Sequence, residues 1–260
     1  MSIRKTALRH ALAMALAGAV AGLALSSAGA ADSAATTDAC RPATPQAEAA
    51  LRGRKAVVTD IDGVLGRYIL LDYGPTNGAF LDRGITYPRE DAALLMNIYH
   101  RRGYLIVYMA GRPRQMQVMG RSMCQATLDW LAAEGFPTEP GNTLLLLRDG
   151  APEVTGAENP GAAMGAWMGA HGSDLFVSML QGVMDRHDVA PVYGYVDSGV
   201  VADAYLAVGV APADIFTIGN KGVPRLGYRG TTPIFGADPN IGFARHVRDF
   251  VVPQVPRADR

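Results

Sequence analysis

Residues 55–64 read Lys55-Ala56-Val57-Val58-Thr59-Asp60-Ile61-Asp62-Gly63-Val64. An apolar, β-branched run that ends in acid and then glycine is the pattern of a buried strand entering a tight turn. Two carboxylates two residues apart at such a turn can aim at one point. One can attack a phosphorus atom while the other carries a proton to the leaving group. A divalent cation then quietens the repulsion between carboxylate and phosphate. Mg²⁺ suits such a site, because it takes a few carboxylates and keeps several waters. DxDG alone also fits a turn or a calcium loop, so its context has to decide.

Working outward, residues 66–88 carry Gly, Pro and Asn with scattered aromatics and read as a loop or flap. Ala92, Leu95, Met96 and Tyr99 recur at helical spacing within Arg89 to Arg102, and Gly103 closes that helix. Tyr104 to Met109 is a second buried strand, followed by a long helix from about Arg114 to Ala133. Thr143 to Leu147, Val192 to Val196 and Ile215 to Ile218 are further short strands. Between and after them, Leu175 to His187, Ala202 to Val208 and Ile241 to Val251 read as helices. Residues 161–172, rich in Gly and Ala with Met164, Trp167 and Met168, read either as a flexible loop or as a cover for the site.

Strands that alternate with helices five times predict an α/β fold. It is a Rossmann-like parallel sheet of about five strands with helices on both faces. One domain is expected over residues 51–252, with a C-terminal tail at 253–260 and no insertion long enough for a large cap. Ligands of such sheets sit at the carboxyl ends of the strands. Three ends carry chemistry here: Asp60-Ile61-Asp62-Gly63, Ala110-Gly111-Arg112-Pro113 and Asp197-Ser198-Gly199. Asp197 can join the first acidic pair to complete a metal site. The second end reads as a small turn opening a helix, whose Gly111 amide and Arg112 side chain can hold a phosphate.

These segments resemble a known family. VVTDIDGVL, YLIVYMAGRP and VYGYVDSG are similar to the first, second and fourth motifs of the haloacid dehalogenase (HAD) superfamily. The finer resemblance is to the lipin-type LNS2 domain. It is carried by DIDG, RRGY, GRP, DWLAAEGFP, LLLLRDG and AYLAVGVAPADIFTIGNKG, over about residues 51–225. The resemblance implies that Asp60 is a nucleophile forming an aspartyl-phosphate and that Asp62 is the general acid and base. It implies Mg²⁺ as cofactor, held by Asp60, the carbonyl of Asp62 and Asp197.

Three positions depart from the family pattern. Ala110 stands where a Ser or Thr normally donates to a phosphate oxygen, and a methyl group donates nothing. Val177 stands where the catalytic Lys is expected. Val201 stands where a second acid follows Asp197, and Asp203 lies two residues beyond. Outside the first 30 residues the chain holds only Lys55 and Lys221. Arg148 and Arg112 are therefore the candidate phosphate-binding cations, with Lys221 as a further one, although guanidinium and ammonium are not equivalent. Two functions stay open. One is a Mg²⁺-dependent phosphomonoesterase of lipin-like type, acting on a phosphorylated small molecule or a phospholipid such as phosphatidate. The other is a non-catalytic domain that binds a phosphorylated ligand or anionic lipid, with peripheral membrane contact.

The 24 basic and 24 acidic side chains balance, and nothing clusters Lys and Arg as a nucleic-acid binder needs. Residues 1–30 hold Arg4, Lys5 and Arg9 without an acid, then an apolar run from Ala11 to Leu25 and Ala28-Gly29-Ala30. That is the three-part pattern of a secretory signal peptide, with an apolar core too short to span a bilayer. Its cleavage would leave a slightly acidic chain in the periplasm or outside the cell, led by a mobile segment over 31–50. An oxidising compartment allows Cys40 and Cys124 to pair, or leaves two separate thiols. His100, His171, His187 and His246 lack metal-ligand spacing and read as surface or satisfied core residues.

Overall fold

Strand β1 (Lys55–Asp60) runs through the middle of a sheet, with β4 (Leu105–Pro113) on one side and β8 (Ala190–Val196) on the other. The computed structural model describes Cys40 and residues 44–67, 87–115, 117–118, 120–149, 160–218, 231–234 and 242–258. All of them belong to one compact unit, Ala34–Arg260. The sheet has six strands in the order β10-β9-β8-β1-β4-β7, completed by β7 (Thr143–Arg148), β9 (Ile215–Thr217) and β10 (Thr232–Pro233). Every pairing in it is parallel. The expected α/β architecture is therefore present, with a short sixth strand at the edge.

The strands bury alternate residues on opposite faces, as the two-residue period of a strand requires. Val57, Ile106, Tyr108, Leu145, Tyr195 and Phe216 face one apolar core. Helices α2 (Ala92–Arg101) and α3 (Met123–Ala133) and the C-terminal helical segment over 244–254 cover it. Ala56, Val58, Val107, Leu146, Val196 and Ile215 face the other core. Helix α1 (Pro45–Leu51), α4 (Pro160–His187) and α5 (Gly199–Ala207) cover that side. In α4 the buried residues are Phe176, Met179, Leu180 and Val183, one face of a 3.6-residue period. Among the described residues no helix is long and apolar enough to cross a membrane.

Four expectations change. The segment after β4 is not helical from Arg114. Strand β4 continues to Pro113, and β5 (Gln117–Val118) and β6 (Arg121–Ser122) then form an antiparallel pair. Gly120 supplies the left-handed turn residue that this pair needs, at φ 75°. Helix α3 starts only at Met123, where the Ser122 hydroxyl accepts the Gln125 amide as an N-cap. Residues 161–172 form the first half of α4 rather than a flexible loop; Pro160 opens it, a position proline favours. The lead over 31–50 is ordered at its far end. Thr44 caps α1, and Cys40 is bonded to Cys124 with Cα atoms 5.1 Å apart. The C-terminal helical segment begins at Ala244 and runs through a π-helical turn, Val247–Val251.

Residues 1–30, Tyr68, Tyr73, Phe80 and Lys221 lie outside the described residues. The base of the flap is described: β2 (Gly66–Arg67) pairs antiparallel with β3 (Tyr87–Pro88).

Candidate active site

The order of the sheet places the site. From β1 the chain goes to β4 and β7 on one side, then returns to β8 on the other. The connections diverge between β1 and β8, and a crevice opens at the carboxyl ends of strands flanking such a point. Thr59 pairs with Tyr195 across that ladder, so Asp60 and Asp197 emerge within about one residue of each other. Adjacent strands lie about 4.8 Å apart. Backbone register thus brings the two acidic residues to neighbouring strand ends.

Both are nearly dry: Asp60 is 6% exposed and Asp197 4%. Burial, followed by the charges of Asp197 and Asp62, pushes the proton affinity of Asp60 well above the carboxylate range. The Asp62 amide and Arg112 pull the other way. Asp197 is pushed up to about 7 by burial and by Asp62, with Arg89 opposing. Two buried acids that disfavour each other's charge favour positive charge beside them.

The turn after β1 is tightly specified. Ile61 donates its amide to the Met109 carbonyl at 2.8 Å, continuing the ladder past Asp60. Gly63 turns the chain at φ 86°, and the Asp62 amide donates to Asp60 Oδ1 at 3.2 Å. Arg112, from the end of β4, grips the Asp62 carboxylate through two hydrogen bonds, with Nε to Oδ2 at 2.9 Å and Nη2 to Oδ1. This fork geometry is specific to arginine. Arg112 also acts on Asp60. A cation therefore reaches the acidic cluster.

The other expected residues fall in different places. Arg148 is 1% exposed and donates Nε to the Gly111 carbonyl at 2.5 Å. It braces the strand end that carries Gly111 and Arg112. Asp203 is exposed on α5, unlike the buried pair. Val201 is buried in the core under α5, and its amide is accepted by the Ser198 hydroxyl at 3.4 Å. Ala110 is fully buried, and Val177 packs beside the core. His246 is a core residue, bonded through Nε2 to the Tyr195 hydroxyl at 2.9 Å.

Two residues escaped the sequence reading. Buried Arg89 donates Nε to the Val64 carbonyl at 3.1 Å and Nη2 to the Gly63 carbonyl at 2.8 Å, and it lowers the proton affinity of Asp197. It stitches the turn after β1 to β3 and brings a second positive charge to bear on the acidic cluster. Tyr205 of α5 is 0% exposed, and the charges of Asp60 and Asp197 act on its hydroxyl. Arg89 gives no motif signal, because it opens what reads as an ordinary helix start. Tyr205 sits in an apolar helix and reads as core.

No family model matches the chain, and no curated protein does. Among solved structures it is similar to a chain of the Pnkp1/Rnl/Hen1 RNA repair complex, at 17% identity and a TM-score of 0.40. That likeness covers 64% of this chain and 42% of that one, so the chain spans less than half the neighbour's length. It is also similar to the D,D-heptose bisphosphate phosphatase of B. bronchiseptica, solved with magnesium and phosphate. Identity is 15% and the TM-score 0.45, over 75% of this chain and 98% of that one. These likenesses are shallow, and the functional reading rests on the site itself.

Proposed function

We propose that the chain is a HAD-like phosphomonoesterase that works through Asp60. The observation that carries this reading is the pair of buried, mutually repelling carboxylates, Asp60 and Asp197, at adjacent parallel strand ends. Asp60 attacks the phosphorus atom, and the ester P–O bond breaks. Asp62 delivers a proton to the departing oxygen. Asp62 then takes a proton from a water, which attacks the phosphorus, releases phosphate and restores Asp60. For Asp62 to carry a proton, Arg112 must let go of one of its oxygens. The incoming phosphoryl group offers Arg112 an equivalent fork of oxygens.

The donor set fits Mg²⁺: two carboxylates and the Asp62 carbonyl are hard oxygens, with water and substrate completing the shell. Among the described residues no group of three acidic, His or Cys side chains could hold a metal, and this set requires only two. Bound there, Mg²⁺ would neutralise charge on the phosphoryl oxygens. Within this reading the finer assignment is lipin-like, with phosphatidate as substrate. The chain is proposed to be exported with residues 1–30 removed, consistent with a Cys40–Cys124 disulfide that persists in oxidising compartments.

The test is phosphate release from an aryl phosphate and from phosphatidate, with and without Mg²⁺, by wild type and Asp60→Asn. Loss of at least about 100-fold in the variant is expected, on the scale of deleting a group that stabilises the transition state. Equal release by both proteins would remove the assignment. A second reading is favoured by Ala110, which offers a methyl group at a strand end where the reaction needs a donor. On that reading the domain binds a phosphorylated ligand without cleaving it. Flotation with phosphatidate liposomes that survives Asp60→Asn, without turnover, would select it.

A further inference from the structure

The core on the face of β1 that carries Val58 holds a polar atom that the proposed chemistry does not use. The Tyr205 hydroxyl is fully buried and has no hydrogen-bond partner among the described residues. Leaving a buried hydroxyl unpaired costs about 1–3 kcal/mol, so a site with no use for the oxygen would be better served by phenylalanine.

The backbone has made room for this ring. A methyl group at Gly194 of β8 would fall 3.0 Å from Tyr205 Cε2 and closer still to Cδ2. Gly194 pairs with Val58 of β1. Asp60 follows Val58 by two residues and points to the same face of the sheet. Val196 follows Gly194 in the same way and leads directly into Asp197. The ring therefore lies over Gly194 of β8, on the face toward which Asp60 projects. A tyrosine hydroxyl is an O–H donor at neutral pH, and the charges of Asp60 and Asp197 reach it. Asp60 Oδ1 already takes the Asp62 amide, which leaves Oδ2 as the oxygen for a donor from below.

We propose that Tyr205 is a positioning residue for the cation site: its buried hydroxyl donates to the Asp60 carboxylate and fixes its orientation when a divalent cation is bound. It acts through Asp60 and touches neither substrate nor cation. This inference rests on the reading of Asp60 and Asp197 as a cation site.

The experiment is thermal unfolding of the full chain across a Mg²⁺ titration, for wild type, Tyr205→Phe and Asp197→Asn. Without cation, Tyr205→Phe is expected to be as stable as wild type or more so, because it removes only the unpaired oxygen. With cation, its Mg²⁺ midpoint is expected to rise by roughly 10-fold or more, the usual effect of deleting a group that orients a metal ligand. Asp197→Asn is expected to lose the Mg²⁺ response. A purely structural hydroxyl would instead give a variant destabilised equally at every Mg²⁺ concentration. Equal midpoints for wild type and Tyr205→Phe, with Asp197→Asn unresponsive, would overturn the role of Tyr205 and leave the cation site standing. A wild type that Mg²⁺ does not stabilise would overturn the cation site and this inference with it.

Discussion

Asp197 shows most directly what the site does to a side chain. An acid whose folded-state proton affinity is raised, here to about 7 from an ordinary 3.8, stabilises the fold while it is protonated. That contribution is complete below the unfolded value and is lost as pH rises through the folded one. Cation-free protein is therefore expected to lose stability between about pH 4 and pH 8. Asp197→Asn, which carries no charge at any pH, is expected to escape much of that loss. The gain should be on the order of 2–4 kcal/mol at pH 8 in the presence of a chelator. Urea unfolding at pH 4.5 and pH 8 measures it, and a variant with the same pH slope as wild type would contradict the burial argument. The same substitution is expected to abolish turnover, since stability is traded here for a socket that attracts positive charge. The positions of Asp60, Asp62 and Asp197 at strand ends were legible from sequence because each follows a buried apolar run. Arg89 was not, since its role depends on where β3 meets the turn at Gly63, a contact between residues 26 apart in the chain.

At the scale of elements, α5 must lie close against β8, and Gly194 is what permits it. Adding a methyl group there forces the Tyr205 ring to move, because the nearest atoms belong to a ring held by the core. Gly194→Ala is expected to destabilise the fold by about 1–3 kcal/mol, the usual range for overpacking. In a Tyr205→Ala background the same change should cost much less, because the obstructing ring is gone. A double-mutant cycle by urea unfolding measures the coupling, and additive effects would show that Gly194 matters for another reason. This scale also explains which elements the sequence concealed. Met123 to Ala133 carries a helical apolar pattern that extrapolates smoothly back to Arg114, yet Gly120 and the Ser122 cap stop the helix. Gly161, Gly165, Gly169 and Gly172 suggested a loop. The face formed by Phe176, Met179, Leu180 and Val183 anchors α4 to the sheet, and the helix extends back to Pro160 despite the glycines.

For the molecule as a whole, the order β10-β9-β8-β1-β4-β7 unites β1 and β8, whose partners Lys55 and Ala190 are 135 residues apart because the chain completes β4 and β7 first. The alternation of strands and helices was enough to read the sheet as parallel. It did not specify which strands are neighbours, and it is that adjacency that brings Asp60 and Asp197 to neighbouring strand ends. The disulfide acts on the same scale. Cys40 and Cys124 are 84 residues apart, and the bond ties the segment ahead of α1 to the start of α3, against the core beneath α2 and α3. Cross-linking so long a loop restricts the unfolded chain far more than the folded one, a contribution of about 2–4 kcal/mol. Cys40→Ser/Cys124→Ser is expected to unfold at lower urea by that amount while keeping the site, because neither cysteine lies at the strand ends that carry Asp60 and Asp197. The matched measurement is phosphate release well below the unfolding midpoint, where the double variant should equal wild type. If activity fell in proportion to stability under those conditions, the disulfide would be holding the site itself. If stability did not change, the segment ahead of α1 would be held without it, and the proposed export to an oxidising compartment would lose its structural reason.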